Sequence, residues 1–445
     1  MIFWIFIIIF QYFKAFQILK TFSNQIHSII QFQYIFYIHI SFTALYYAIK
    51  NGNTEFVNEF VPSFNKEEQA ELFITPMSFA ALCGHSWLIP ALTPITTPND
   101  PTLFHYIACG GSLSFAQACL DLGFPADKPG RDGLTPLHVA CANKNEEMAE
   151  FILEKCVSDA SDLLITDSNG WNAAHHAAAV NFGHILGKII KMTDKKVFLS
   201  KDNKGRTPFH VAAMCNSVEC IKILLNTYQS KKDSESLLTI QDSCGFNPLH
   251  LACLNGASYS AAYLIERGAE IDSGGRNNFT PLHVAAAAGK AECCVLLLTR
   301  GASREAAAVN GAKPLHLAAK NGDVRSLAVL LENGCRIDGR DDAGMTPLHV
   351  AAYYNRVGAI QILVQNRADV NAKDGDGNSP LALAVSKGSI SSVKELLKCS
   401  DVDVELQNNN GDSTLHIAGR VGASHAINII MTHAWKEYTH SLLVK

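Results

Sequence analysis

The sequence is short of charge and of every compact catalytic signature. Asp, Glu, Lys and Arg make up 18% of its 445 residues, and 37 basic against 41 acidic groups leave a formal charge of −4. No long basic block appears, so a phosphate-neutralising face for nucleic acid is not expected. There is no GxSxG elbow, HExxH pair, Walker loop or GxGxxG turn, which leaves the common hydrolase, zinc-protease, NTPase and dinucleotide classes without a footing. There is also no CxxC pair. The 13 cysteines are scattered singly apart from Cys293-Cys294, and their number is odd. That pattern fits reduced thiols in a cytoplasmic protein rather than a disulfide framework. The doublet sits among apolar residues, where packing is expected rather than reactivity.

What the chain does have is a repeat. The heptapeptide TPLHVAA at Thr280–Ala286 recurs at Thr346–Ala352, 66 residues later. Related copies begin at Thr135, Thr207, Asn247, Lys313 and Ser379, and the four steps from Asn247 to Ser379 are each 33 residues. Weaker copies begin at Thr43, Thr75, Thr102, Asn172 and Ser413, which makes twelve units over about residues 40–435. Fixed phase at this period marks a stacked array.

Each unit reads as two short helices and a turn. In Lys313–Ile337, Pro314 suits a first helical turn, where its missing N–H costs nothing. Leu315, Ala318 and Ala319 form an apolar stripe and Gly322 ends the helix. Val324, Leu327, Leu330 and Leu331 mark a second amphipathic helix, ended by Gly334. The following DGRDDAGM suits a hairpin loop. Helices this short are marginal alone, so each unit needs neighbours on which to bury its stripes.

T-P-L-H-x-A-A, a Gly, a second helix, Gly-Ala and an Asp-x-x-Gly turn resemble the ankyrin repeat, over roughly nine-tenths of the chain. The resemblance implies an all-α fold: a solenoid of about twelve helix-turn-helix units with projecting β-hairpin loops. It also implies binding to other proteins, without a cofactor. The expected organisation is a hydrophobic segment at 1–42, divergent repeats at 43–130, a regular array at 131–435 and a tail at 436–445. Some positions depart from the pattern. Arg367 stands where other units have Gly268, Gly301 and Gly334, which points to another cap geometry there. Spacing stretches to 37 residues before Asn172 and to 40 before Asn247, so longer and more mobile loops are expected at both places.

Nine histidines occupy the motif position: His105, His138, His175, His210, His250, His283, His316, His349 and His416. Rings one repeat apart lie about 10 Å from each other, too far to share an ion held at about 2 Å. A histidine at a helix start that hydrogen-bonds the adjacent repeat is the expectation. The local group of His175, His176 and His184 gives only weak grounds for a metal. DDAGM and DGDGN resemble pieces of a calcium loop but lack its ligand spacing, so turn chemistry is expected. No metal or cofactor is expected.

Binding residues are sought among letters that do not recur. At hairpin tips and after the motif these are Arg276, Phe279, Lys320, Arg340, Asp342, Met345, Tyr353 and Tyr354. Exposed aromatics and arginines dominate interface energetics, so residues 270–380 are the expected contact surface. DVNA at Asp369–Ala372 resembles the asparagine motif that some ankyrin proteins present to asparaginyl hydroxylases. Asn371 would then be hydroxylated; the other reading is a plain turn asparagine.

Residues 1–42 stand apart, with twelve Ile, nine Phe and no Val, Gly, Pro, Asp or Glu. A membrane anchor is one reading, although Lys14 interrupts the apolar run. A signal peptide, translated AT-rich DNA upstream of a true start, and a buried cap on the first repeat are the others. The leading function is a non-enzymatic scaffold or adaptor, monomeric and cytoplasmic, whose partners are proteins. The runners-up are a membrane-tethered ankyrin protein and a targeting subunit of an enzyme complex.

Overall fold

A computed structural model describes residues 44–443 apart from 64–73, 97–99, 101, 111, 131, 194–195 and 228–236. The segment 1–42 and the insertion at 229–236, with the membrane anchor and one mobile loop expected there, therefore lie outside the described residues. The chain forms two compact units, one from 1–140 with 145–156, the other from 141–144 with 157–445. Among the described residues there are twelve helix pairs and no strand.

The second unit shows why the motif recurs. In Pro281–Ala287, Thr280 takes the N-cap position with extended φ/ψ, its side chain accepts the His283 N–H, and Pro281 fills the first turn. Pro281 to Ala286 are all buried, because the helix is enclosed by its own partner helix and by the first helices of both neighbouring repeats. Small residues allow that close stacking and leave no room for charge, which accounts for the chain's low charge. Second helices face solvent on one side and bury only a stripe. In Val324–Glu332 the buried residues are Ser326, Leu327 and Leu330. Val324, expected in that stripe, is 40% exposed at the helix start.

Hairpin loops connect the pairs. In one, Asp341 N–H donates to the Met345 carbonyl at 3.0 Å and Gly344 N–H to the Asp341 carbonyl at 2.9 Å. The Asp341 carboxylate accepts the N–H groups of Ala343 (3.0 Å) and Met345 (2.8 Å). Asp374 braces the next turn in the same way. These carboxylates brace their turns. Neighbouring tips share single backbone bonds, such as Asp342 N–H to Asn310 O and Gly375 N–H to Ala343 O. One rung per step makes a hairpin turn without a ladder, so the projecting β-hairpins carry no strand.

Arg367 corrects the cap expectation. Its φ is +68°, in the same left-handed region as Gly268, Gly301 and Gly334, so the geometry is kept and the side chain tolerates it. The other long loop, before Asn172, holds a short helical turn at Asp162–Leu164 and a carboxylate, Asp162, that accepts the N–H groups of Ser158 and Asp159.

The first unit mixes its letters: the Thr135 repeat keeps the motif, with His138 Nδ1 accepting the Thr135 N–H at 3.0 Å, whereas the Thr75 repeat does not. Thr75 caps Pro76–Cys83, but Ser78 stands at the histidine position, and both hydroxyls reach the buried Asp100. The second half of that pair is broken into Ser86–Leu88, Ile89–Leu92 and Thr93–Ile95. Its core is larger side chains, including Met77, Phe104, Phe115 and Met148.

Candidate protein-binding surface

The motif histidines are committed to the scaffold. His283 Nδ1 accepts the Thr280 N–H at 3.2 Å, while its Nε2 lies 3.1 Å from the Ala312 carbonyl of the next repeat. A carbonyl only accepts, so Nε2 carries the proton and the ring is neutral. His175, His210, His250, His316 and His349 make the same pair of bonds, to Arg206, Ile240, Phe279, Met345 and Asn378. Both ring nitrogens are occupied by backbone, which leaves no lone pair for an ion. Burial lowers the pKa of each, that of His175 to about 4. His176 is held separately, 3.1 Å from the Asp167 carboxylate.

Seven of the cysteines are buried in the scaffold, whereas Cys109, Cys215 and Cys244 are exposed. All thirteen are free thiols, and Cys141, Cys253, Cys293 and Cys294 are fully buried.

The eight expected binding residues fall into three groups. Lys320, Tyr353 and Tyr354 are brought together: the tyrosine rings are 4.9 Å apart and the Lys320 ammonium lies 5.0 Å from the Tyr354 centroid. Arg340, Asp342 and Met345 share one hairpin. Arg340 donates to the Gly344 carbonyl at 2.9 Å and also to the Lys373 carbonyl of the next hairpin, while the Met345 carbonyl receives His316. The Arg340 side chain and the Met345 backbone therefore serve the stack, although Arg340, like Asp342, stays exposed. Arg276 and Phe279 form the third group. Phe279 stacks on His283 at 5.6 Å, so its ring covers a scaffold histidine, whereas Arg276 is exposed.

Sequence reading missed Lys387, whose ammonium lies 4.8 Å from the Tyr353 centroid. The signal was present, since Lys387 occupies in its repeat the register that Tyr354 occupies in the one before. It also missed a cluster in the repeats of Asn172 and Thr207. There Trp171 Nε1 donates to Asp202 at 3.0 Å, Arg206 pairs with the same carboxylate at 2.6 Å, and Arg206 also reaches Met214 Sδ. Asn371 is tied at both ends of its carboxamide: Nδ2 donates to the Asp401 carbonyl at 2.6 Å and Oδ1 accepts the Asp403 N–H at 2.9 Å. It sits in the loop between repeats.

No described helix is long and apolar enough to cross a membrane. Models of ankyrin repeats match residues 77–167, 156–236, 234–306 and 300–374, and a further ankyrin-repeat model matches 363–418. Together with the clasped helix pairs, this shows that the chain belongs to the ankyrin-repeat family, whose repeats bind other proteins.

The chain is 30% identical over 141 residues, 31% of its length, to "Transient receptor potential cation channel subfamily A member 1" of Homo sapiens. It is 26% identical over 174 residues, 39% of its length, to "Rabankyrin-5" of Mus musculus. It is 33% identical over 92 residues, 20% of its length, to "Nuclear factor NF-kappa-B p105 subunit" of Rattus norvegicus. The matches span 12%, 14% and 9% of those three proteins, so the likeness is one of repeats and not of whole proteins.

Proposed function

We propose that this chain is a non-enzymatic scaffold that captures proteins through the exposed ends of its first helices and its hairpin tips between residues 270 and 380. The observation that carries the reading is the contrast at Lys320, Tyr353 and Tyr354. The recurring letters around them are spent on packing, whereas these three cluster outside, with Tyr354 41% exposed. Tyrosine supplies large contact area at low ordering cost, and arginine is enriched beside it at interface hot spots. Thirteen free thiols support a reducing, cytoplasmic compartment.

The test is affinity capture with the full chain, beside a Tyr353→Ala, Tyr354→Ala, Arg340→Ala variant matched to it by circular dichroism. The scaffold reading expects a partner retained by the wild type and lost by the variant. Identical retention by both moves the surface elsewhere on the chain.

A further inference from the structure

The tyrosine pair is the centre of a longer row. Lys320 lies over Tyr354, Tyr354 beside Tyr353, and Lys387 over Tyr353. The four side chains come from the ends of three successive first helices, so the row crosses three repeats. Among the described residues neither ammonium has a carboxylate partner. Some other cations do have one: Arg206 has Asp202 at 2.6 Å, Lys313 has Glu305 at 3.0 Å, Lys398 has Glu395 at 2.6 Å and Arg420 has Asp412 at 2.6 Å. A cation resting on a ring face is held by the ring's electrostatics yet keeps its N–H donors for an incoming acceptor.

The surroundings reinforce the sign. Across residues 317–323, 350–356 and 383–389 the charged groups are Lys320, Asp323, Arg356 and Lys387. Asp323 is engaged by the Ser326 N–H at 2.8 Å, where it caps the next helix. Arg356 donates its Nε–H to the Lys320 carbonyl at 2.9 Å, which brings a third cation beside Lys320. The result is an aromatic floor edged by three cations.

We infer that this row selects an acidic segment of a protein partner. Its carboxylates meet Lys320, Arg356 and Lys387, and an apolar side chain lies across the two tyrosines. The inference rests on the interaction reading above and adds the chemistry of the partner. A long polyanion suits the site less well, because the hairpin loops that lead into these helices carry Asp338, Asp341, Asp342, Asp369, Asp374 and Asp376 against Arg340 and Lys373. Short segments with spaced carboxylates avoid that repulsion, and charge complementarity then acts mainly as specificity.

The experiment pans a random peptide display library on the full chain and on its Lys320→Gln, Lys387→Gln variant. Peptides selected by the wild type should be rich in Asp and Glu, and that enrichment should vanish on the variant. For one selected peptide, the double substitution should weaken binding about tenfold, the sum of two modest exposed charge pairs, and added salt should weaken it further. A Lys320→Arg, Lys387→Arg chain should restore most of the affinity. Selected peptides without acidic enrichment, or acidic ones that bind the Gln variant equally, would overturn the inference. Should neutral peptides be selected and then lost on Tyr353→Ala, Tyr354→Ala, the interaction reading stands and the acidic-partner inference falls. Should a single-stranded oligonucleotide bind more tightly than the acidic peptide at equal salt, the peptide assignment is overturned.

Discussion

The repeats between Asn247 and Asn378 and the Thr75 repeat of the earlier region reach one architecture by different chemistry. In the later region each step carries a histidine that caps its own helix with Nδ1 and reaches the next repeat with Nε2. In the earlier region the Thr75 repeat has Ser78 and Asp100 in place of that ring and a partner helix broken into three short pieces, whereas His105 and His138 keep the ring in the two repeats that follow. The lesson is that an apolar helix pair with a capped start is the minimum for a repeat. The histidine clasp is added hardware that fastens one step to the next.

Removing the clasp should give the largest effect. His283→Ala strands a buried Thr280 N–H and a buried Ala312 carbonyl and leaves a cavity, at a cost of about 3 kcal/mol in urea unfolding. Ser78→Ala, at the matching position of the earlier region, should cost about 1 kcal/mol, since its hydroxyl's bonds to Thr75 and Asp100 are lost while Thr75 and Thr102 still hold the carboxylate. Equal losses at the two sites would end the comparison.

Acid should separate the regions next. Burial depresses the pKa of His175, His210, His250, His283, His316 and His349 below the ordinary histidine value, that of His175 to about 4. The folded rings are neutral, so the unfolded chain binds more protons below about pH 6.5. Their contribution is therefore complete above that pH and is lost as pH falls through it toward 4. Urea midpoints measured between pH 8 and pH 4.5 should decline, and hydrogen exchange should show residues 172–378 loosening ahead of residues 44–121. Simultaneous loosening would contradict the account.

Two smaller effects sharpen the picture of the later region. Arg367→Gly relieves a left-handed backbone that other repeats give to glycine, and should raise stability by about 1 kcal/mol in the same assay. Asn371 already uses both ends of its carboxamide to hold the next loop, so intact-peptide mass spectrometry of the folded chain should find no added oxygen on it.

Much of the fold was legible because the stacking chemistry repeats. Thr280, Pro281 and the small residues after His283 fix a helix start wherever they occur, and the 33-residue phase follows. Ser78 and Asp100 were not legible as a clasp, since hydroxyls and a carboxylate 22 residues apart form no recognisable pattern. Arg367 misled because the left-handed cost of about 1 kcal/mol is small beside the packing on either side. At the surface, Lys320, Tyr353 and Tyr354 were found by failing to repeat, whereas Phe279 passed the same filter and spends its ring on His283. Lys387 escaped because its partner ring lies in the preceding repeat.

The central claim is that recurring letters build and non-recurring letters bind. It is tested most directly by measuring urea midpoint and partner capture together on Tyr353→Ala, Tyr354→Ala and on His283→Ala. The account predicts an unchanged midpoint with lost capture for the tyrosine variant, and a lowered midpoint for the histidine variant. A tyrosine variant that loses stability as His283→Ala does, or that captures as the wild type does, would contradict it.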